Sequence, residues 1–117
     1  MEYVFVYGTL RKGCSNHGLL QDAKFLGLAR TREKYALYTQ DIPYVVKDQA
    51  VSHIRGEVYQ VDETGLGRLD ILEGHPDWYA REKSAVYLDT GEKIQAWIYF
   101  FPEPHGELVQ NGDFLSR

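Results

Sequence analysis

The stretch Tyr3-Val4-Phe5-Val6-Tyr7-Gly8-Thr9-Leu10-Arg11-Lys12-Gly13 decides the fold. Its first half is β-branched and aromatic, the composition of a stiff, buried strand. That strand must stop where Gly8 permits positive φ or the close approach of another part of the chain. The loop beyond it presents consecutive N–H groups from a rigid element, a geometry that suits a carboxylate or a carbonyl oxygen. A glycine after a strand also builds an ordinary turn, so the loop needs a second feature before it means chemistry.

Outward from this stretch, strands outnumber helices. Residues Lys24 to Ala29 and Lys34 to Tyr38 read as two strands joined by a polar turn, Arg30-Thr31-Arg32. Pro43 precedes a brief apolar run, Tyr44-Val45-Val46. From Ile54 to Val61 the chain alternates, with Ile54, Gly56 and Val58 on one face and Glu57, Tyr59 and Val61 on the other. A strand apolar on both sides suits a closed or strongly curved sheet. Ala80 to Leu88 and Lys93 to Phe101 form a hairpin through Asp89-Thr90-Gly91-Glu92. Asn16 is placed to cap a short helical turn through Leu19, Leu20 and Gln21. The tail from Pro102, broken by Pro104, Gly106 and Gly112, is expected to wrap the sheet as an irregular cover.

The second feature lies at the end of the one convincing helix, Glu63 to Glu73. Asp62 is its N-cap, Glu63 complements the dipole, Gly74 stands at C′, and Pro76 prevents continuation. Leu66, Leu69 and Leu72 mark the apolar stripe, and the helical period puts Glu73 on the same side. There, burial and the dipole both favour a raised pKa and a general base. The alternative is a frayed helix end from which Glu73 points out past Gly74. The following stretch, His75-Pro76-Asp77-Trp78-Tyr79-Ala80-Arg81, brings Tyr79 and Arg81 onto one face. They either reach a common pocket with Glu73 or stand as a rim aromatic and an exposed cation. His75 is a second base or an exposed turn residue.

The totals restrict what this chain can be. Its 117 residues suffice for a single domain, 1–117, and one core. A net charge of −4 disfavours nucleic acid and anionic membranes as partners. The nine tyrosines serve either a sheet-rich core or a pocket lined by hydroxyls. Cys14 is the only cysteine, which excludes an internal disulfide and points to a reducing compartment. Beside Arg11 and Lys12 it is activated as a nucleophile only in principle, with no histidine paired to it. His17, His53 and His105 are too scattered for a metal site. Without a basic-then-apolar leader or an apolar stretch near the roughly 20 residues of a membrane span, the expected location is the cytoplasm. Oligomeric state is left open.

Taken together, the motifs resemble the γ-glutamylcyclotransferase-like superfamily, in the branch of γ-glutamylaminecyclotransferase and its small prokaryotic relatives. The resemblance covers most of the chain. It rests on Val6-Tyr7-Gly8-Thr9-Leu10, Asn16-His17 and Leu20, on Gly56-Glu57-Val58-Tyr59 and Val61-Asp62, and on Leu69-Asp70, Glu73-Gly74, Pro76, Tyr79 and Arg81. The order and spacing of the Tyr-Gly-Thr-Leu loop and the Leu-Asp-x-x-Glu-Gly helix end are far more specific than either motif. The resemblance implies an α+β fold, a small closed mixed β-barrel with few short helices. It implies an acyltransferase that cyclises a small γ-glutamyl amine or amide to 5-oxoproline and releases the amine, with no cofactor and no metal. Glu73 takes the role of general base and acid, and Tyr7, Gly8, Thr9 and Leu10 hold the glutamyl moiety. Tyr79 and Arg81 complete the expected substrate-binding set. Trp78 and Ile42-Pro43-Tyr44 are expected on the leaving-group side by position. The competing readings are a non-catalytic small-ligand-binding domain of the same fold, an amidohydrolase releasing glutamate, and a protein-interaction module.

Overall fold

The apolar run near the start forms β1 (Glu2–Val6) in the computed structural model, which describes residues 1–117. Both faces of this strand are buried, Phe5 on one side and Val4 and Val6 on the other, which is why its sequence is continuously apolar. One edge of β1 pairs antiparallel with β4 (Ser52–Val61); the other runs parallel to β6 (Lys93–Phe100), with Val4 opposite Trp97. β6 forms the predicted hairpin with β5 (Ala80–Leu88). The circuit closes through β2 (Lys24–Gln40), which pairs with β4 and, at residues 29–31, also with residues 86–88 of β5. The result is the closed five-stranded mixed barrel expected from the resemblance. β3 (Ile42–Val46) and the two-residue β7 (Glu107–Leu108) extend it along the far half of β2.

Side-chain alternation divides the core in two. Phe5, Ile54, Val58, Val86 and Ile98 fill the barrel. Val4, Val6, Tyr59 and Val61 face outward and are covered by Leu66 and Leu69 of α1 (Glu63–Glu73) and by Leu20 of a 3-10 turn (His17–Leu20). The two-sided reading of β4 therefore holds, and a helix supplies its second cover.

Three local expectations need correction. The turn expected at residues 30–32 does not exist, because β2 runs through it as a single strand. The polar residues there form a bulge, with the register slipping between Arg30 and Lys34 against Arg55 and His53. Fully buried Thr31 makes the bulge stable: its hydroxyl donates to Glu33 O at 2.7 Å and accepts from Ile54 N at 2.9 Å. Asn16 precedes its helical turn without capping it through the side chain, which is engaged with Thr9. The tail is more than a cover. It adds β7 to the sheet and sends Val109 and Phe114 into the barrel core.

The tail also reaches the loop after β1. Arg11, only 7% exposed, lies between Asp113 (Nη1 to Oδ1 2.8 Å) and Glu57 (Nε to Oε2 3.5 Å). Glu57 Oε1 accepts from Lys12 N and from the Tyr59 hydroxyl, each at 2.9 Å. Burying the Glu57 carboxylate beside the partly buried Asp113 is tolerable only while the guanidinium stays between them. Arg11→Met is therefore expected to destabilise the protein by about 3 kcal/mol, read from the midpoint of urea unfolding at pH 7.

Candidate active site

The end of α1 aims its last side chain. Asp62 caps the start, accepting from Gly65 N at 2.7 Å. Gly74 ends the helix in the left-handed region (φ 65°), with His75 N donating back to Asp70 O at 2.9 Å. The chain then doubles back, Trp78 N donating to Gly74 O at 2.8 Å and Tyr79 N to Glu73 O at 3.2 Å. Glu73 is thereby held at a closed corner beside Tyr79, not on a frayed end.

The carboxyl of Glu73 lines a cavity of about 130 Å³ between the helix end and the loop after β1. Tyr7, Tyr79 and Tyr99 are buried around it, Gly8, Thr9 and Leu10 form one wall, and Ile42, Leu72 and Trp78 stand at the mouth. Gly8 is needed for close approach and not for positive φ. A Cβ there would sit 2.2 Å from Pro43 Cγ, so any side chain would push the loop off β3.

The loop is fixed from behind while its amides stay free. Arg11 N donates to Gly8 O and Asn16 N to Thr9 O, each at 2.9 Å; Asn16 Nδ2 donates to Thr9 Oγ1 at 2.9 Å. With its proton on Nδ1, His17 donates to Leu10 O at 3.0 Å. The N–H groups of Gly8, Thr9 and Leu10 donate to no protein acceptor. Consecutive unpaired amides on a rigid loop make an acceptor-binding wall.

Electrostatics single out Glu73. Burial pushes its carboxyl up to about 7, and no side chain pairs with it. The phenols of Tyr7 and Tyr79 are pushed up by burial and then by the charge of Glu73, so both remain protonated. Their hydroxyls donate to Tyr99 O (2.7 Å) and Pro43 O (2.9 Å), which orients the rings and keeps their protons out of the cavity's chemistry.

Arg81 lies elsewhere. Its Nε and Nη2 donate to Asp70 at 2.8 and 3.1 Å, and its guanidinium stacks over Trp97 at 4.2 Å. Asp70 on α1 captures the cation before it can reach the cavity, and Tyr79, just outside β5, does not share its alternation. The stripe on α1 is narrower than expected, since Leu72 is half-exposed at the mouth while Leu66 and Leu69 are buried. His75 faces the backbone, accepting from Arg81 N at 3.2 Å, and Cys14 does not line the cavity. Tyr99 and Asn16 line it without having been expected as site residues. Alternation along β6 from Trp97 through Tyr99 carried a signal for the first; the second depended on how the loop turns. No cluster of three or more His, Cys, Asp or Glu side chains is placed to hold a metal ion. No helix is long and apolar enough to cross a membrane.

A closed mixed barrel with one unpaired acid in a cavity walled by free amides is a recognised small-domain architecture, and comparison with known proteins places it. The family described as "Gamma-glutamyl cyclotransferase, AIG2-like" matches residues 4–116, and the chain belongs to this family. It is 57% identical over 115 residues to the "Putative gamma-glutamylcyclotransferase MJ1514" of Methanocaldococcus jannaschii, covering 97% of this chain and 96% of that protein. It is 33% identical over 115 residues to the gamma-glutamylaminecyclotransferase of Rattus norvegicus, covering 85% and 77% respectively. The crystal structure of protein PH0828 from Pyrococcus horikoshii superposes with a TM-score of 0.76 at 33% identity, covering 97% of this chain and 90% of that one.

The raised carboxyl has a consequence for stability. Its pKa moves from 4.5 to about 7 on folding, so the folded state favours the protonated form. That preference supports the fold fully below pH 4.5 and is lost as pH rises through 7. Glu73→Gln should therefore match the native protein near pH 4 and exceed it by about 3 kcal/mol at pH 9, measured by urea unfolding at both values.

Proposed function

We propose that the chain is an intramolecular acyltransferase that converts a γ-glutamyl amine or amide to 5-oxoproline, with Glu73 as general base and then general acid. The observation that carries this is the isolated Glu73 carboxyl, pushed up to about 7 by burial, in a cavity lined by Gly8, Thr9 and Leu10, whose backbone amides donate to no protein acceptor. Residues 1–117 are taken to act as one catalytic domain.

The substrate brings its own nucleophile. Glu73 takes a proton from the glutamyl α-ammonium, and the amine nitrogen attacks the γ-carbonyl carbon, forming the ring C–N bond. The carbonyl electron pair moves onto oxygen, where amides of the Tyr7–Leu10 loop stabilise it. Collapse of this oxyanion breaks the bond to the leaving nitrogen, which receives the proton held by Glu73. The ring nitrogen gives up its second proton as the lactam forms, and that proton converts the released amine to its ammonium. Ring closure has the entropic advantage of an intramolecular attack. The remaining obstacle is proton transfer. An ordinary Glu near 4.3 facing an α-amine near 8 is mismatched by about 5 kcal/mol, whereas a carboxyl near 7 reduces this to about 1.4 kcal/mol. Tyr7 and Tyr79 shape the cavity around the glutamyl chain; Arg81 supports it indirectly, by holding the helix end through Asp70.

The cavity size agrees with this assignment. An apolar cavity of about 150 Å³ accommodates one benzene ring, and about 130 Å³ here suits a five-membered ring in formation.

Incubation with γ-glutamyl-ε-lysine, γ-glutamyl amino acids and glutathione should yield 5-oxoproline from at least one of them. Glu73→Gln should reduce that rate about a thousandfold while leaving the fold intact. The kcat/KM profile should rise through pH 7 as Glu73 ionises and fall above about 8 as the substrate ammonium deprotonates. Near-native turnover by Glu73→Gln would remove the base assignment. Binding without product would favour the non-catalytic domain, and free glutamate in place of 5-oxoproline would identify an amidohydrolase.

A further inference from the structure

The amides of the loop after β1 are free, but their direction is fixed. In a trans peptide the C=O and the following N–H point opposite ways, so holding one end aims the other. The peptides of this loop are trans. Arg11 N donates to Gly8 O at 2.9 Å, which sets the Gly8–Thr9 peptide and with it the Thr9 N–H. Asn16 N, donating to Thr9 O at 2.9 Å, sets the Leu10 N–H in the same way. The first of these bonds depends on where the Arg11 backbone stands.

That backbone is held from outside the cavity. The Arg11–Lys12 peptide is bonded at both ends: Arg11 O accepts from Cys14 N at 2.9 Å, and Lys12 N donates to Glu57 Oε1 at 2.9 Å. Glu57 lies on β4 opposite Val6, the last residue of β1, so its carboxylate stands beside the point where the loop departs. The Tyr59 hydroxyl, two positions along the same strand, fixes Oε1 in turn at 2.9 Å. Glu57 is 4% exposed and does not line the cavity. A carboxylate buried this deeply adds little net stability even beside a guanidinium, because apolar packing of the same volume does as well. An apolar side chain would, however, leave the Lys12 N–H without its acceptor.

We propose that Glu57 is a positioning residue for the cyclisation: through Lys12 N and the Arg11 backbone it fixes the Gly8–Thr9 peptide and holds the Thr9 N–H where the oxyanion forms. Its role rests on the proposed cyclisation and adds to it a residue that never touches the substrate. An oxyanion donor is effective only when it is in place before the charge develops. A loop free to turn this peptide would therefore keep the fold and lose the rate. Arg11 serves the same end from its other side, since its guanidinium keeps the Glu57 carboxylate charged and in place within the protein.

Two substitutions separate the acceptor from the charge. Glu57→Gln and Glu57→Leu both remove the negative charge facing Arg11, and both should lower the midpoint of urea unfolding. Only Gln retains an oxygen for Lys12 N and the Tyr59 hydroxyl. Kinetics are read below the unfolding transition, with the fastest compound among γ-glutamyl-ε-lysine, γ-glutamyl amino acids and glutathione. Glu57→Leu should lower kcat about a hundredfold with little change in KM. Glu57→Gln should keep kcat within about threefold of native. The rise of kcat/KM through pH 7 should stay in place in both. A displaced rise in Glu57→Leu would mark a cavity opened to water and overturn the positioning role. Ile98→Val, inside the barrel and away from the cavity, should lower the unfolding midpoint and leave kcat unchanged. Equal kcat in the Leu and Gln variants would overturn the proposal, and so would a kcat loss in Ile98→Val, which would trace the rate to stability. If Glu57→Leu does not fold, Arg11→Met/Glu57→Leu and Arg11→Met/Glu57→Gln make the same comparison without a buried unpaired guanidinium. If the native protein makes no 5-oxoproline, the cyclisation reading fails, and amide NMR of the free protein decides what Glu57 holds. Thr9 and Arg11 amide resonances displaced in Glu57→Leu but not in Glu57→Gln support its hold on the loop; resonances that match in the two variants refute it.

Discussion

Everything in this molecule depends on β2 pairing with two strands at once. Residues 29 and 30 pair with β4 on one edge and residues 29–31 with β5 on the other, and this short contact turns a curved sheet into a barrel. Closure leaves the barrel strands without a free edge there and fixes the position of every strand end. It is also what makes the polar sequence Arg30-Thr31-Arg32 tolerable in a strand. Arg30 covers the Tyr87 ring from outside at 5.2 Å, and Thr31 replaces missing ladder bonds with its hydroxyl.

The closed barrel places two chain segments that have little reason to meet. The loop after β1 leaves one strand end, and the helix between β4 and β5 brings Glu73 to the same end. Each segment satisfies its own structural needs without using the groups that face the cavity. The loop is held through its carbonyls and side chains, which leaves its amides unpaired. The helix is closed by Gly74 and by backbone bonds, which leaves the Glu73 carboxyl unpaired. Unsatisfied polar groups are costly, and here they collect in one place. That concentration supports the proposed chemistry more strongly than any single residue.

Much of this was legible in the sequence, unevenly. The helix was readable to the residue because its signals are local: Asp62 as cap, Gly74 as terminator, and the leucines between. Glu73 stood out because it broke a local pattern, a carboxyl on an apolar side. β1 and β4 were readable from composition and alternation. The bulge in β2 was not, since three polar residues look the same in a turn as in a strand whose hydroxyl repairs the ladder. Arg81 was misplaced because its partner, Asp70, lies on another element, and sequence alone does not say which nearby acid a guanidinium will reach. The role of Glu57 was hidden for the same reason. Its partner Arg11 lies 46 positions away along the chain.

The bond between Arg11 and Asp113 spans 102 positions, and it makes the order of synthesis matter. The loop is synthesised 102 positions ahead of Asp113, and its buried guanidinium has only half its counter-charge until Asp113 has been added. β1 likewise waits for β6, its parallel neighbour. A nascent chain can therefore form its helix before the segment that carries Asp113 is made, but cannot set the amide wall until that segment is in place. The cavity thus takes its shape only after that segment docks, so a chain that stops short of Asp113 presents no finished pocket.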